Sequence, residues 1–295
     1  MVSYNSARFI KDSIQSILNQ SYVDFELIIC DDNSTDNTWE IISEYNDTRI
    51  LKIKNEVNIG ENANRNNAIS LSKGQWLIFI DADDILYDYG LEIFVRHVTN
   101  NEDCGMIIAR PWDERIRYPF KIYPLQFYQF EYLDNSIIGR NFTKVLFKKS
   151  AIIETGCFDN MQIKMGDAYI QYKIGMLYPS IIIQDGLSWW RRRKGQASEK
   201  LIQNTDLFII DSYKYLVPLL ANKNNPLNNE QKEIALNNLY GSYSRFVLKL
   251  LITFKFSKVI SLLKIHPIPI KYFKSILRPQ KRDYFRNYSG ENPLV

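Results

Sequence analysis

The sequence has few cysteines and histidines and no long apolar run, and these shortages exclude several classes of protein. Cys30, Cys104 and Cys157 lie far apart, so neither a disulfide framework nor a cysteine-rich metal site is expected. No apolar run reaches the roughly 18–20 residues that a membrane-spanning helix needs, and no signal peptide is recognisable. No Gly-x-Gly-x-x-Gly follows a strand, which argues against a dinucleotide-binding oxidoreductase. We therefore expect a cytoplasmic protein.

Charge is ordinary in amount but uneven in distribution. The 295 residues are 45% hydrophobic and 24% charged, as in a globular protein, and the formal net charge is only +4. Residues 241–295 hold eleven Lys or Arg against two acidic residues, a balance of +9, which leaves −5 for residues 1–240. The small net charge gives no argument for a nucleic-acid partner, whereas the basic end predicts contact with an anionic surface.

Apolar runs alternate with amphipathic stretches, which predicts an α/β fold with a mostly parallel sheet. Residues 25–30 and 75–80 are typical of buried strands, and each runs into a cluster of carboxylates. The clustered acids are Asp31, Asp32, Asp81, Asp83 and Asp84. Ligands bind at the carboxyl ends of parallel strands, so both clusters are expected at one edge of the sheet. A Mg²⁺ or Mn²⁺ ion there would relieve the repulsion between carboxylates, and the alternative is a solvated acidic turn.

Four groups of residues, in this order and at these spacings, resemble a known family. They are Ser3-Tyr4-Asn5 before a helix, the strand and turn at 25–36, the set 58–60, 65–68, 73–76 and 81–84, and Gly156-Cys157-Phe158-Asp159 followed by Met165-Gly166-Asp167. Together they resemble the family-two inverting glycosyltransferases of the type that builds bacterial surface polysaccharides. The resemblance implies a GT-A domain at residues 1–200, followed by a helical basic region at 201–295.

The resemblance also implies a reaction and the residues that perform it. The reaction is metal-dependent inverting transfer of a sugar from a UDP- or dTDP-linked donor to a saccharide or lipid-linked saccharide, with Mn²⁺ or Mg²⁺ as cofactor. The implied residues are Tyr4, Asp32, Arg65 and Asp81 for the nucleotide, Asp83 for the metal, Asp167 as the catalytic base, and Arg191 and Arg193 for the diphosphate. Tyr4 would stack on the base, Asp32 would accept a hydrogen bond from it, and Asp81 would contact the ribose.

Several of these residues also have a purely structural interpretation. Asp32 would cap a helix, Arg65 would lie on a solvated helix face, and Asp167 would be a helix N-terminal acid. The basic segment at 191–194 would be a solvated loop. Asp84 receives no role beyond shaping its turn.

The sequence departs from the family pattern at three places. Gly166 stands before Asp167 where many members have Glu, which leaves the acceptor contacts open. Arg193 stands where relatives often have His, and a guanidinium binds phosphate but does not ligate a metal. Only three residues precede Tyr4, so the first strand is apparently truncated, and we expect lower stability than in a longer form.

Two rival functions and two interpretations of the basic region stay open at this level. A haloacid-dehalogenase-type phosphatase also places Asp-x-Asp after a buried strand, but it would have Thr where Ile85 stands. A non-catalytic protein that binds nucleotide-sugars or a membrane surface is the second rival. Residues 241–295 would either lie peripherally on the anionic inner face of the plasma membrane or form a helical cap with a solvated basic face.

Overall fold

The computed structural model describes residues 1–113, 116–134, 136–138, 141–158, 166–191 and 205–272. The chain divides into two compact units. One consists of Met1–Pro124 and Ile138–Arg193, and the other of Leu125–Ile137 and Lys194–Val295. The predicted domain boundary after residue 200 stays a prediction, and the structure adds that the short segment 125–137 groups with the C-terminal unit.

The N-terminal sheet of the first unit is parallel. Its strands, in spatial order, are β1 (Val2–Ser3), β2 (Leu27–Asp31) and β3 (Ile50–Lys54). The helices that connect or follow them are α1 (Ile10–Leu18), α2 (Thr38–Ser43) and α3 (Glu61–Leu71). The apolar face of α1, with Ile10 and Ile14 fully buried, packs in one cluster with Leu27 and Ile29 of β2. The parallel pairing and this packing confirm the predicted α/β architecture, and the right-handed crossovers stay a prediction.

Strand β1 is only two residues long, yet it pairs along its whole length. Val2 lies beside Cys30 of β2, and the Asp32 N–H donates to the Ser3 carbonyl at 2.8 Å. Val2 also forms a parallel bridge with Asp81. The short strand therefore joins the two acidic turns, and the expected loss of stability stays a prediction.

The second sheet of the first unit mixes parallel and antiparallel pairs. Its strands are β4 (Trp76–Ile78), β6 (Met106–Arg110), β7 (Phe120–Ile122), β8 (Val145–Lys148) and β9 (Ser180–Gln184), in the spatial order β4-β8-β6-β9-β7. Only β6 and β9 run parallel in it. Strand β4 ends at Ile78, earlier than the sequence predicts, because the chain then leaves β8 and crosses to β1 at Asp81.

A two-stranded ribbon and further helices complete the described chain. Strands β5 (Ile85–Leu86) and β10 (Ser188–Trp189) pair antiparallel. The remaining helices are α4 (Gly90–Val98), α5 (Pro124–Leu133), α6 (Lys149–Glu154), α7 (Gly166–Leu177), α8 (Thr205–Ala221), α9 (Asn229–Ile252) and α10 (Phe256–Ile265). Among the described residues, none of these helices is both long and apolar enough to cross a membrane.

The C-terminal unit is helical, as predicted, and has its own aromatic core. Tyr213 and Tyr243 stack with ring centroids 4.4 Å apart, and Tyr240 and Tyr272 stack at 4.3 Å. Helix α9 begins with a capping box, in which Asn228 and Gln231 satisfy each other's backbone N–H groups. The aromatic stacking and the cap give this unit a stable frame of its own.

Candidate active site

The carboxylate of Asp32 organises the turn that follows β3. Asp32 is buried at the end of β2, and its Oδ1 accepts hydrogen bonds from the Ile59 N–H at 2.9 Å and the Asn55 amide at 2.8 Å. Its Oδ2 accepts from the Gly60 N–H at 2.9 Å. None of these donors belongs to α2, so the capping interpretation does not describe its contacts. A carboxylate accepts up to about four hydrogen bonds, which leaves capacity for a ligand donor.

Tyr4 is presented to solvent on a fixed loop. Asn5 adopts a left-handed φ of 50°, its N–H donates to Ser34 Oγ at 2.9 Å, and its Oδ1 accepts from the Thr35 N–H at 2.8 Å. These contacts fix the backbone at Asn5 and so the position of Tyr4 before it. The Tyr4 side chain is 50% exposed. An exposed aromatic ring on a rigid loop suits stacking on a nucleobase.

Arg65 is buried at the centre of the site rather than on a solvated helix face. It is only 2% exposed on α3, and its guanidinium pairs with Glu61 at 2.6 Å and with Asp81 at 3.0 Å. The rings of Phe142 and Phe158 lie 4.2 and 5.9 Å from the guanidinium carbon. Arg65 Nε is buried without a hydrogen-bond partner among the described residues. The guanidinium therefore fixes the position of Asp81.

Neighbouring charges of both signs act on the Asp81 carboxylate. Burial raises its pKa, the Arg65 charge opposes this, and the negative charges of Glu61 and Asp83 raise it further. The Asp81 side chain is nevertheless 39% exposed, so part of it is accessible from solvent. A ligand hydroxyl or a cation can reach that part.

Asp84 anchors the acidic turn to two distant segments. It is fully buried, and its Oδ2 accepts hydrogen bonds from the Asn141 amide at 3.1 Å and the Thr143 hydroxyl at 3.2 Å. Its Oδ1 accepts from the Arg191 N–H at 3.3 Å. Burial and the neighbouring charge of Asp81 raise the pKa of Asp84 to about 7, against these hydrogen bonds. The residue thus has a defined positioning role that the sequence did not reveal.

Arg191 extends from β10 across the acidic turn. Its Nε donates to the Asp83 carbonyl at 3.1 Å, and its Nη2 pairs with Asp12 of α1 at 3.1 Å. The guanidinium carbon lies 4.8 Å from the Phe9 ring centroid and 5.0 Å from that of Trp189. Since β10 pairs with β5, the cation is held directly beside the carboxylate cluster.

Asp167 opens α7 beside the same charged group. Its Oδ1 accepts from the Ala168 N–H at 2.8 Å. Burial raises the pKa of Asp167 to about 7, while the Ala168 N–H and the Arg65 charge lower it and the charges of Asp81 and Glu61 raise it. Asp167 is therefore within electrostatic range of Arg65 and Asp81. A carboxyl group with such a pKa suits proton transfer near neutral pH.

The amino-acid sequence matches the model of a known protein family. A model of the family described as Glycosyl transferase family 2 matches residues 1–156. The chain belongs to glycosyltransferase family 2. That membership favours a transferase over the phosphatase interpretation of the Asp-x-Asp motif.

Curated relatives of this family-2 chain are similar over part of their length. Glycosyltransferase GlyA of Streptococcus pneumoniae is 27% identical over 240 residues, which are 76% of this chain and 34% of the relative. The UDP-Glc:alpha-D-GlcNAc-diphosphoundecaprenol beta-1,3-glucosyltransferase WfaP of Escherichia coli is 43% identical over 84 residues, 28% of this chain and 34% of the relative. The first relatives are matched over only 34–40% of their own length.

Solved structures show the GT-A fold for the family-2 chain. Staphylococcus aureus TarS 1-349 in complex with UDP-GlcNAc aligns with a TM-score of 0.56 and 17% identity, over 93% of this chain and 89% of that one. Mannosyltransferase PcManGT from Pyrobaculum calidifontis, in complex with GDP-Man and Mn²⁺, aligns with a TM-score of 0.58 and 16% identity, over 92% and 80%. At these identities the likeness establishes the fold alone.

The donor set of the acidic turn suits a metal shared with a substrate. Among the described residues, no three His, Cys, Asp or Glu side chains cluster closely enough to form a protein-only metal site. Mg²⁺ and related ions are usually held by one or two carboxylates together with substrate phosphates. Asp83, with Asp81 beside it, offers hard oxygen donors of that kind. The residues present therefore fit the divalent metal that the family resemblance implies.

The structure brings most of the sequence-predicted residues to one region of the first unit. The charged group combines Arg65, Asp81 and Asp167, and Arg191 contacts the main chain of Asp83. Arg193 lies outside the described residues. Sequence reasoning missed the partners of Asp84 and Asp32, namely Asn141, Thr143 and Asn55. No local pattern signals them, since an isolated Asn or Thr carries no motif.

Proposed function

We propose that this chain catalyses metal-dependent, inverting transfer of a sugar from a nucleotide-diphosphate-sugar to a saccharide or lipid-linked saccharide in bacterial surface-polysaccharide synthesis. The observation that carries the proposal is the group formed by Asp167, Arg65 and Asp81. In it a carboxyl group with a pKa of about 7 lies beside a buried guanidinium and an open carboxylate. Asp81 follows the end of β4, and ligands of α/β folds bind after strand ends, which supports the proposal.

A uridine- or thymidine-linked donor fits the nucleotide-binding residues. The exposed ring of Tyr4 would stack on the pyrimidine, and the remaining acceptor capacity of Asp32 would serve the base N3–H. The open part of Asp81 would accept a hydrogen bond from a ribose hydroxyl. Arg65 would act mainly by holding Asp81 in place. The relative named for UDP-glucose and the TarS structure with UDP-GlcNAc support a uridine donor.

Asp167 would act as the catalytic base. Its ionised carboxylate takes the proton from the acceptor hydroxyl as that oxygen forms a bond to the anomeric carbon. The bond from the anomeric carbon to the diphosphate oxygen breaks, and its electron pair leaves with the nucleoside diphosphate. Because attack and departure occur on opposite faces of the sugar, the anomeric configuration inverts.

The negative charge that develops on the diphosphate needs compensation from the same turn. Asp83 would hold Mn²⁺ or Mg²⁺, which supplies Lewis-acid stabilisation of the departing diphosphate. Arg191, already beside Asp83, would contribute a bidentate phosphate contact, and Arg193 is proposed as a second one.

One relative and the basic C-terminal region support a lipid-linked acceptor at a membrane. WfaP is named for an acceptor linked to diphosphoundecaprenol. A lipid-linked acceptor resides at a membrane, and residues 241–295 would bring the chain to its anionic inner face.

The proposal is tested by nucleoside diphosphate release. UDP-glucose and UDP-GlcNAc are offered with Mn²⁺ and GlcNAc-diphosphoundecaprenol, and released UDP is measured. Asp167→Asn should abolish acceptor-dependent release but keep donor binding, whereas Asp83→Ala should abolish the metal-dependent part of donor binding, followed by thermal shift. Asp24→Asn, an exposed carboxylate outside the site, is the matched control.

The same experiment separates an enzyme from a binding protein. Donor binding without acceptor-dependent release would favour the non-catalytic alternative. Release that is unchanged in Asp167→Asn would contradict the assigned base.

A further inference from the structure

Phe254 occupies a backbone position that favours glycine. After α9 ends at Ile252, the Phe254 N–H donates to the Leu251 carbonyl at 3.0 Å and the Lys255 N–H to the Leu250 carbonyl at 2.9 Å. This pair of bonds forms a Schellman cap, whose left-handed residue is usually glycine. Phe254 has a φ of 57°, yet its side chain is 81% exposed. Among the described residues, the ring has an edge contact with Phe256 at 6.0 Å between centroids, and its burial is too small to offset the strained backbone.

The surface around Phe254 is also apolar. We call residues 248–265, the end of α9 and all of α10, the α9–α10 corner. Its other exposed apolar side chains, between 38% and 68% exposed, are Leu248, Leu251, Ile252, Phe256, Ile260 and Ile265. Phe256 and Ile260 are four residues apart on α10 and therefore share one helix face. Several large apolar side chains exposed within one short stretch of chain favour an interaction site.

The charges at the corner all have one sign. Residues 248–272 contain five lysines and no Asp or Glu. Lys271 pairs with Glu233, whereas Lys249, Lys255 and Lys264 form no ion pair with the described residues. Lys255 directly follows Phe254, and Lys264 lies on the same α10 face as Ile260. A protein partner would have to supply matching acids, but an anionic bilayer offers both a negative surface and an apolar interior.

We propose that the α9–α10 corner is a membrane-docking surface that inserts Phe254 and Phe256 between the headgroups of an anionic bilayer. The lysines would remain at the level of the phosphates. The inference deepens the proposed function, because a lipid-linked acceptor would give such a surface its use. It assigns the contact to one corner instead of the whole basic region.

Vesicle sedimentation tests the proposal on the full chain. Binding to phosphatidylcholine vesicles is compared with binding to vesicles that also contain phosphatidylglycerol, at low and high salt. We expect binding to the anionic vesicles that weakens with salt. Phe254→Gly should weaken it about tenfold through lost apolar insertion, and Lys255→Ala about fivefold through lost charge.

Two features separate this result from trivial causes. Phe254→Gly relieves the left-handed strain, so its Tm should be unchanged or higher, and weaker binding then cannot reflect unfolding. The matched controls, Trp112→Ala for an exposed aromatic and Lys223→Ala for an exposed lysine, should bind like the parent chain.

Several outcomes would overturn the proposal. They are binding that survives Phe254→Gly, equal binding to neutral vesicles, or self-association through the corner without vesicle binding, seen by light scattering. Since the assay needs no sugar transfer, a failure here leaves the proposed reaction untouched, and an inactive chain that binds vesicles would leave the docking surface intact.

Discussion

Asp167→Asn should make the chain more stable at high pH while abolishing its activity. The wild-type carboxyl group has its pKa raised from 3.8 to about 7 by burial. A folded-state pKa above the unfolded one means that the native state binds the proton more tightly. The stability that the protonated form provides is complete below about pH 4 and is lost as the pH rises through about 7. Asn is nearly isosteric and never ionises, so the variant avoids that loss.

The magnitude follows from the pKa difference. The full rise in the pKa of Asp167 corresponds to a loss of about 4 kcal/mol in the free energy of unfolding of the wild type between pH 4 and pH 8. Asp167 is only partly covered and has the Arg65 cation in reach, so solvent and pairing reduce this upper limit. We expect a stability gain of about 1–2 kcal/mol for the variant at pH 8, and no gain at pH 4.

Urea unfolding at pH 4, 6 and 8 measures this difference without any substrate. Asp24→Asn, which removes an exposed carboxylate and keeps Asp167, is the control, and its unfolding free energy should follow that of the wild type across the three pH values. In parallel, UDP release by the wild type should rise with pH through about 7, because only the ionised Asp167 accepts the acceptor proton. An unfolding free energy for Asp167→Asn that runs parallel to the wild type at all three pH values would refute the burial argument.

Three further substitutions probe the supports of the site. Arg65→Met should lower the free energy of unfolding by only about 1 kcal/mol in urea melts, because the carboxylates that lose their cation, Asp81 and Glu61, are 39% and 66% exposed; equal stability would contradict the pairing. Asp84→Ala should lower the free energy of unfolding by about 2 kcal/mol and reduce activity, since the donors from Asn141 and Arg191 lose their acceptor. Asp84→Asn should cause a smaller loss of stability. Gly60→Ala should lower it by about 2 kcal/mol, because Gly60, with φ 88° and ψ 156°, lies in a region open essentially to glycine; donor affinity measured by thermal shift should fall with it.

The sequence predicted the parallel N-terminal sheet and both acidic turns because these are local patterns. The first four residues of β2 are an uninterrupted apolar run, and the carboxylates of Asp31 and Asp32 follow them directly. The predicted strand at 75–80 is longer than β4, which ends at Ile78. Periodicity does not show that the chain leaves β8 there and crosses to β1. Pairing partners far apart in sequence decide where such a strand ends.

The contacts that position the site were not readable from the sequence. Arg65 is typical of a solvated helix residue by its polar neighbours, but Phe142 and Phe158 cover it from segments more than seventy residues away. Likewise, Asp84 meets Asn141 at a sequence separation of 57. Motif spacing indicates which residues act on a ligand, whereas the residues that hold them in place depend on the tertiary fold.

Arg191 makes supporting contacts to the acidic turn and is also a proposed ligand of the diphosphate. Its ion pair with Asp12 involves a carboxylate that is 59% exposed, and exposed pairs contribute at most about 1 kcal/mol. Its contact with the Asp83 carbonyl and the hydrogen bond from its own N–H to Asp84 hold the segment beside the acidic turn independently of that pair. If Arg191 binds the diphosphate as proposed, the guanidinium exchanges a weak surface partner for a stronger charge-assisted one while its backbone stays anchored. The acidic turn and Arg191 are therefore already joined through Asp84 before a ligand binds.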